Sequence, residues 1–161
     1  MFMTEWTVGT GAGFTPVRAL REAVRVREQG VLPEAEFDAL DAFAAHLFVR
    51  TDAGEPIGAG RMYPCPERGA VRIDRLVVAP LFRGKLYDDL LLRVMLYKAQ
   101  QMPFAAIEAA VEEAARPLFA SFGFQPADVQ ASGATLLCVP RSSVVWPRAC
   151  KGKEPSRAQP E

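Results

Sequence analysis

Apolar residues along this chain fall into two rhythms, and the places where the rhythm changes divide it into elements. After a short stretch at residues 6–9 that reads as a first strand, Val17, Leu20 and Val24 recur at helical spacing behind Thr15, an N-cap candidate, and Pro16, suited to the first helical position. This predicts a first helix, stopped at Gly30, and residues 33–41 read as a second, short helix with acidic residues near its start. The period then shortens. Residues 45–50 and 57–62 flank the turn-forming Asp52-Ala53-Gly54-Glu55 and predict a β-hairpin. A third strand follows at residues 71–78 and ends at Pro80. The longest helical pattern covers residues 87–101, where Leu90, Leu91, Val94, Met95 and Ala99 repeat at three and four. A buried strand at 105–110, a helix at 112–122 closed by Gly123, and a last hairpin of 125–131 with 134–139 around Ser132-Gly133 complete the order.

Strand, two helices, three strands, helix, strand, helix and two strands describe an α/β fold whose mixed, mainly antiparallel sheet carries helices on both faces. At 161 residues the chain is one domain by length, expected over residues 1–145, with 146–161 as a polar, proline-containing tail. Lys plus Arg and Asp plus Glu both number 19, so no global field draws the protein to nucleic acid or to anionic lipid. No apolar run approaches the roughly 20 residues that cross a bilayer, and no signal peptide is read at the start. Three cysteines without C-x-x-C spacing argue against a disulfide framework and a zinc site, and point to the cytoplasm. The single histidine, His46, excludes two-histidine metal sites by count, so no metal is expected. Cys138 reads as core and Cys65 as a turn residue, neither with the partners of an activated nucleophile.

Three segments resemble the GNAT acyltransferase superfamily, whose members move an acetyl group from acetyl-CoA to an amine. E-Q-G-V-L-P-E-A-E-F-D-A-L-D-A-F-A-A-H-L (residues 28–47) resembles the start of the ElaA-type bacterial subgroup. I-D-R-L-V-V-A-P-L-F-R-G-K-L-Y-D-D-L-L (residues 73–91) is similar to the strand, loop and helix that bind the cofactor's pyrophosphate. L-F-A-S-F-G-F (residues 118–124) lies where the family has a tyrosine that protonates the departing CoA thiolate; that position is Phe119 here. The resemblance implies acetyl-CoA as co-substrate, held by Leu76, Val77, Val78, Arg83, Gly84, Lys85, Leu86, Tyr87 and Asp88. The physical basis is a turn that aims unpaired N–H groups and a helix dipole at an anion. The family pattern is R-G-x-G-x-G; Leu86 and Asp88 stand at its later glycines. Near two phosphate charges, a carboxylate ~5 Å away costs on the order of 3 kcal/mol per contact at an effective dielectric near 20.

Asp74 and Glu108 are implied to flank the gap where thioester and amine meet, either serving as general base, and Tyr87 is a stand-in for the missing acid. The alternative for the two carboxylates is that they are solvated or paired with Arg72 or Arg75. Glu28 and Gln29 are implied on the acceptor side, the R-x-R pair Arg25 and Arg27 could receive an anionic substrate or form a solvated helix face, and His46 reads as a hydrogen-bonded structural residue. The expected activity is N-acetyl transfer to a primary amine of a small molecule or peptide by direct attack. The alternatives are a GNAT-shaped binding or regulatory module that has lost usual CoA binding, for which a homodimer is compatible, and transfer from a carrier-protein thioester.

Overall fold

The computed structural model describes residues 1–129 and 134–148. A single seven-stranded sheet runs in the order β1-β2-β3-β4-β5-β7-β6. Its strands are β1 (Phe2–Val8), β2 (Ala45–Thr51), β3 (Pro56–Cys65), β4 (Ala70–Val78), β5 (Ala106–Val111), β6 (Gln125–Val129) and β7 (Thr135–Pro140). Neighbours pair antiparallel except β4 with β5, which are parallel. The helices are α1 (Phe14–Arg21), α2 (Pro33–Glu36), α3 (Tyr87–Gln100) and α4 (Arg116–Ser121). The element order is the one predicted. No helix among the described residues is long and apolar enough to cross a membrane.

Several boundaries differ for local reasons. The first strand begins four residues before the expected stretch, because its edge pairs with β2 from Phe2↔Thr51 to Val8↔Ala45. The first helix continues beyond Arg21 as a π-helical turn, Glu22–Glu28, in which the Gln29 N–H reaches back five residues to the Val24 carbonyl at 3.0 Å. The expected second helix breaks in two. Asp38 is extended and its carboxylate accepts the Leu40 N–H at 3.0 Å, starting a separate 3₁₀ turn at Ala39–Ala42. The helix expected at 112–122 opens as a 3₁₀ turn, Glu113–Ala115, with Pro117 in the first turn of α4. The end of the expected strand 125–131, its Ser132-Gly133 turn and residues 149–161 of the expected tail lie outside the described residues. Trp146 stands edge-on to Phe122 with ring centroids 6.2 Å apart.

Alternation along β4 sorts its side chains between the two layers. Val71 and Ile73 join Leu91, Leu92, Met95 and Ile107 in the larger core beneath α3. Glycine is required for that approach: a Cβ on Gly58 would lie 2.8 Å from Leu91 Cδ1 and 2.9 Å from the Val77 carbonyl oxygen. The opposite face packs under α1 through Phe14, Val17, Leu20, Phe48 and Val77. Arg72 and Asp74 point to this second face, which therefore carries the charges.

Candidate functional site

The parallel pairing of β4 with β5 lasts only from Ala70↔Ala106 to Ile73↔Ala109. Beyond it the strands part. Between β3 and β4 the register slips between Ala59 and Arg61, so that Arg75 and Leu76 together oppose Gly60. This is a β-bulge with Arg75 at φ 53°, a left-handed conformation that a side-chain-bearing residue holds at a cost of about 1–3 kcal/mol. The bulge lies at the mouth of the gap, where a cavity of about 670 Å³ opens. Asp74, Arg75 and Leu76 line its floor, Arg25, Gln29 and Glu36 one wall, and Glu112, Glu113 and Phe119 the other. Sequence reasoning places Asp74, Leu76, Arg25 and Gln29 at one site, and all four line this cavity.

Most of the charge around the cavity is already paired. Arg21, with about 1% of its side chain exposed, donates from Nε to Glu36 Oε1 at 2.8 Å and from Nη1 to Asp41 Oδ1 at 2.8 Å. Four residues on, Arg25 donates from Nε to the other oxygen of Glu36 at 3.0 Å. Arg61, equally buried, grips Asp74 with two bonds of 2.7 Å and reaches Asp38 at 2.6 Å and Asp41 at 3.1 Å. Arg75 joins Glu36, Asp38 and Asp74 at 3.3 to 3.6 Å. Four arginines thus face four carboxylates, Glu36, Asp38, Asp41 and Asp74. Burial would lower the Arg61 guanidinium, but its bonds to Asp74 and Asp38 outweigh this and raise it.

This network accounts for the spacing in residues 28–47. Phe37, between Glu36 and Asp38, lies under the guanidinium groups of Arg18 and Arg21 at 4.2 and 5.1 Å. His46 Nε2 bonds the Asp41 carbonyl oxygen at 2.9 Å, and its ring centroid is 4.6 Å from that of Phe14. Burial holds its imidazole below the usual range.

The remaining candidates divide. Asp74 is committed mainly to Arg61 rather than to Arg75. Glu108 belongs to the paired part of β5, is clamped by Arg68 at 2.8 Å and Arg72 at 2.9 Å, and is absent from the cavity lining. Burial alone would raise its carboxyl, but these two arginines hold it below the usual range. Tyr87 packs edge-on against Phe82 and Phe2 with centroids 5.7 and 6.2 Å apart. Val77 is buried beneath α1, while Val78 packs against the α3 core. Burial raises both the Cys65 and the Cys138 thiols, which keeps them protonated and poorly nucleophilic.

One lining residue was missed in the sequence. Glu112 follows the last residue of β5; counting on from Ile73↔Ala109, it is level with Leu76 across the gap. Its neighbour Glu113 pairs with Arg116 at 3.1 Å, whereas among the described residues Glu112 has no ion pair. Its signal was positional, a carboxylate at the C-terminal end of a strand bordering a splayed gap.

The loop at residues 83–89 opens α3 without a side-chain cap. Gly84 has φ 73° and Leu86 φ 66°, so two left-handed residues alternate in a turn entering a helix, the backbone form that gathers N–H groups around an anion. Leu86 adopts the conformation of a glycine, and its side chain is 53% exposed. Asp88 uses Oδ1 to accept the Asp89 N–H at 2.9 Å, and Asp89 pairs with Arg93. The Lys85 ammonium lies 5.8 Å from the Phe82 ring centroid. Arg83 does not stand free. Its Nη2 donates to Glu28 Oε2 at 2.8 Å, its Nη1 bonds Glu28 Oε1, and its Nε reaches the Val78 carbonyl at 3.2 Å.

A sequence model of the acetyltransferase (GNAT) family matches residues 17–124. Among solved structures, Escherichia coli ElaA is 20% identical with a TM-score of 0.73, covering 86% of this chain and 99% of that one. An acyl-CoA N-acyltransferase from Pseudomonas aeruginosa is 20% identical with a TM-score of 0.74 over the same shares. N-acetylglutamate synthase from Neisseria gonorrhoeae, solved with coenzyme A and N-acetyl-glutamate, is 18% identical with a TM-score of 0.64, covering 86% of this chain and 35% of that one. At these identities the likeness is one of fold.

Proposed function

The chain belongs to the GNAT acetyltransferase family, and from that premise we propose that it is an ElaA-like N-acyltransferase passing an acetyl or short acyl group from acyl-CoA to a primary amine of a small molecule or peptide. The observation that carries this reading is the coincidence at one place of a splayed β4–β5 gap, a strained bulge and a cavity. Acyl-CoA supplies a thioester, an activated acyl group on a fair leaving atom. The residues fit such a ligand: an uncapped helix start with left-handed Gly84 and Leu86 suits a diphosphate, and the open gap suits an extended arm.

Within the cavity the roles follow from what each group has free. On the β5 side the backbone of β4 has no ladder partner beyond Ile73, so N–H groups there are available to a carbonyl oxygen whose charge grows as the amine attacks. The incoming amine arrives as an ammonium and must lose a proton. Asp74 is held by a bidentate guanidinium, so Glu112, the unpaired carboxylate of the lining, receives the ammonium and takes its proton directly or through water. Phe119 lines the same wall as Glu112 and has no proton to give, so the thiolate leaves on its own stability. Arg25, held at Nε by Glu36, and Gln29 border the acceptor's far end.

A second reading, a binding or regulatory module without usual CoA binding, is favoured by the neutralisation of Arg83 and by Asp88 at the loop. A carrier-protein donor would make fewer demands on the same loop. Thiol release from acetyl-CoA in the presence of short alkyl amines and diamines tests the enzyme reading. It predicts amine-dependent release that falls by roughly 10²–10⁴ in Glu112→Gln; release no faster than hydrolysis with every amine would sink it.

A further inference from the structure

Arg83 and Glu28 were singled out for different ligands, Arg83 for the cofactor's phosphates and Glu28 for the acceptor side, yet they hold each other. Glu28 ends the π-helical turn, and its carboxylate reaches across to the loop, taking both terminal nitrogens of Arg83. A guanidinium presents its parallel N–H pair to one planar or tetrahedral anion at a time. The Nε–H is spent on the Val78 carbonyl, which leaves one outer N–H on each terminal nitrogen but no free edge of two parallel N–H groups. Arg83 therefore has no bidentate edge left for a diphosphate while Glu28 is in place, and the pair contributes no net charge to a loop that also carries Asp88.

We infer that Glu28 is a built-in competitor for the diphosphate, holding Arg83 until phosphate oxygens replace its carboxylate, so that cofactor binding releases the end of the first helical arm beside the acceptor cavity. The inference rests on the acyl-CoA reading above. Gln29 and Arg25, one residue after and three before Glu28, line the cavity. Releasing Glu28 thus adds a free carboxylate next to the acceptor wall only when the donor is bound. Such a coupling is reciprocal: a cationic acceptor that draws Glu28 away from Arg83 tightens the donor by the same factor that the donor tightens it. The exchange is feasible because both partners are about 40% exposed, where an ion pair contributes little and a doubly charged ligand can displace it.

Titration calorimetry with CoA tests this on wild type, Glu28→Gln, Glu28→Ala, Arg83→Gln and the Glu28→Gln/Arg83→Gln double variant. Removing the carboxylate is expected to tighten CoA about threefold to tenfold, the scale of an exposed ion pair plus the lost repulsion. Arg83→Gln is expected to weaken binding, and in that background Glu28→Gln should change it less than about twofold. Unchanged or weaker affinity in both Glu28 variants overturns the inference while wild-type binding leaves the acyl-CoA reading standing. Absence of CoA binding in every protein overturns both.

Discussion

Replacing Asp41 by alanine puts one uncompensated positive charge into the buried network. Asp41 Oδ1 accepts from Arg21 Nη1 at 2.8 Å and from Arg61 Nη1 at 3.1 Å, and Oδ2 accepts from Arg21 Nη2 at 3.3 Å. Its side chain is 4% exposed, so water cannot take its place. After the change Arg21 keeps only Glu36, Arg61 keeps Asp74 and Asp38, and four arginines face three carboxylates. Breaking a buried pair by removing one partner costs about 3–5 kcal/mol, a large share of the roughly 5–15 kcal/mol that holds a domain folded. With a urea slope near 2 kcal/mol per molar, the unfolding midpoint should fall by about 1.5–2.5 M. Asp41→Asn should fall nearly as far, because it restores volume but not charge. Glu5→Gln at the surface pair with Arg50 should cost under about 1 kcal/mol. Urea melts followed by tryptophan fluorescence read all three. A loss below about 1 kcal/mol in both Asp41 variants would refute the view that this network is a buried charge lattice.

Two further outcomes follow from the loop and from the histidine. Leu86→Gly with Asp88→Gly removes bulk and a carboxylate from the turn, and should tighten acetyl-CoA tenfold or more by calorimetry; an unchanged affinity would show that these two side chains do not limit binding. His46 is depressed by burial, so below about pH 6.5 the unfolded chain takes a proton that the folded one refuses, and stability falls with pH in that window. Asp38 and Glu108, also depressed, add their losses only below about pH 4.5, as pH drops through their folded values. The urea midpoint should therefore drop between pH 7.5 and 5.5 in wild type and drop less in His46→Gln, whose amide can replace the Nε2–H bond; equal drops would contradict the assignment.

The element order was legible because most of its strands and helices keep one period and end at Gly or Pro. What sequence period could not show was the break at Asp38, since a side chain capping its own chain leaves no mark in an apolar pattern. The same limit applies to the site. Asp74, Arg25 and Gln29, candidates from the sequence, line one cavity, but which carboxylate lacks a counter-charge depends on Arg61, Arg68 and Arg72 arriving from other strands and turns. Glu112 is not marked out by the sequence for that reason, and the bond that Arg83 donates to Glu28 spans 55 positions. Tertiary pairing, rather than residue type, decides which charges are available for chemistry.

On the acyl-CoA reading, the turn into α3 holds a diphosphate and the β4–β5 gap holds the reacting end of the same ligand. A crystal structure with CoA soaked at millimolar concentration tests both at once. Phosphate oxygens are expected against the backbone N–H groups around Gly84 to Asp88, with Arg83 turned from Glu28 to the phosphates and the thiol beside Leu76 at the bulge. CoA bound elsewhere on the molecule, or a gap and loop still empty with Glu28 on Arg83, would contradict it.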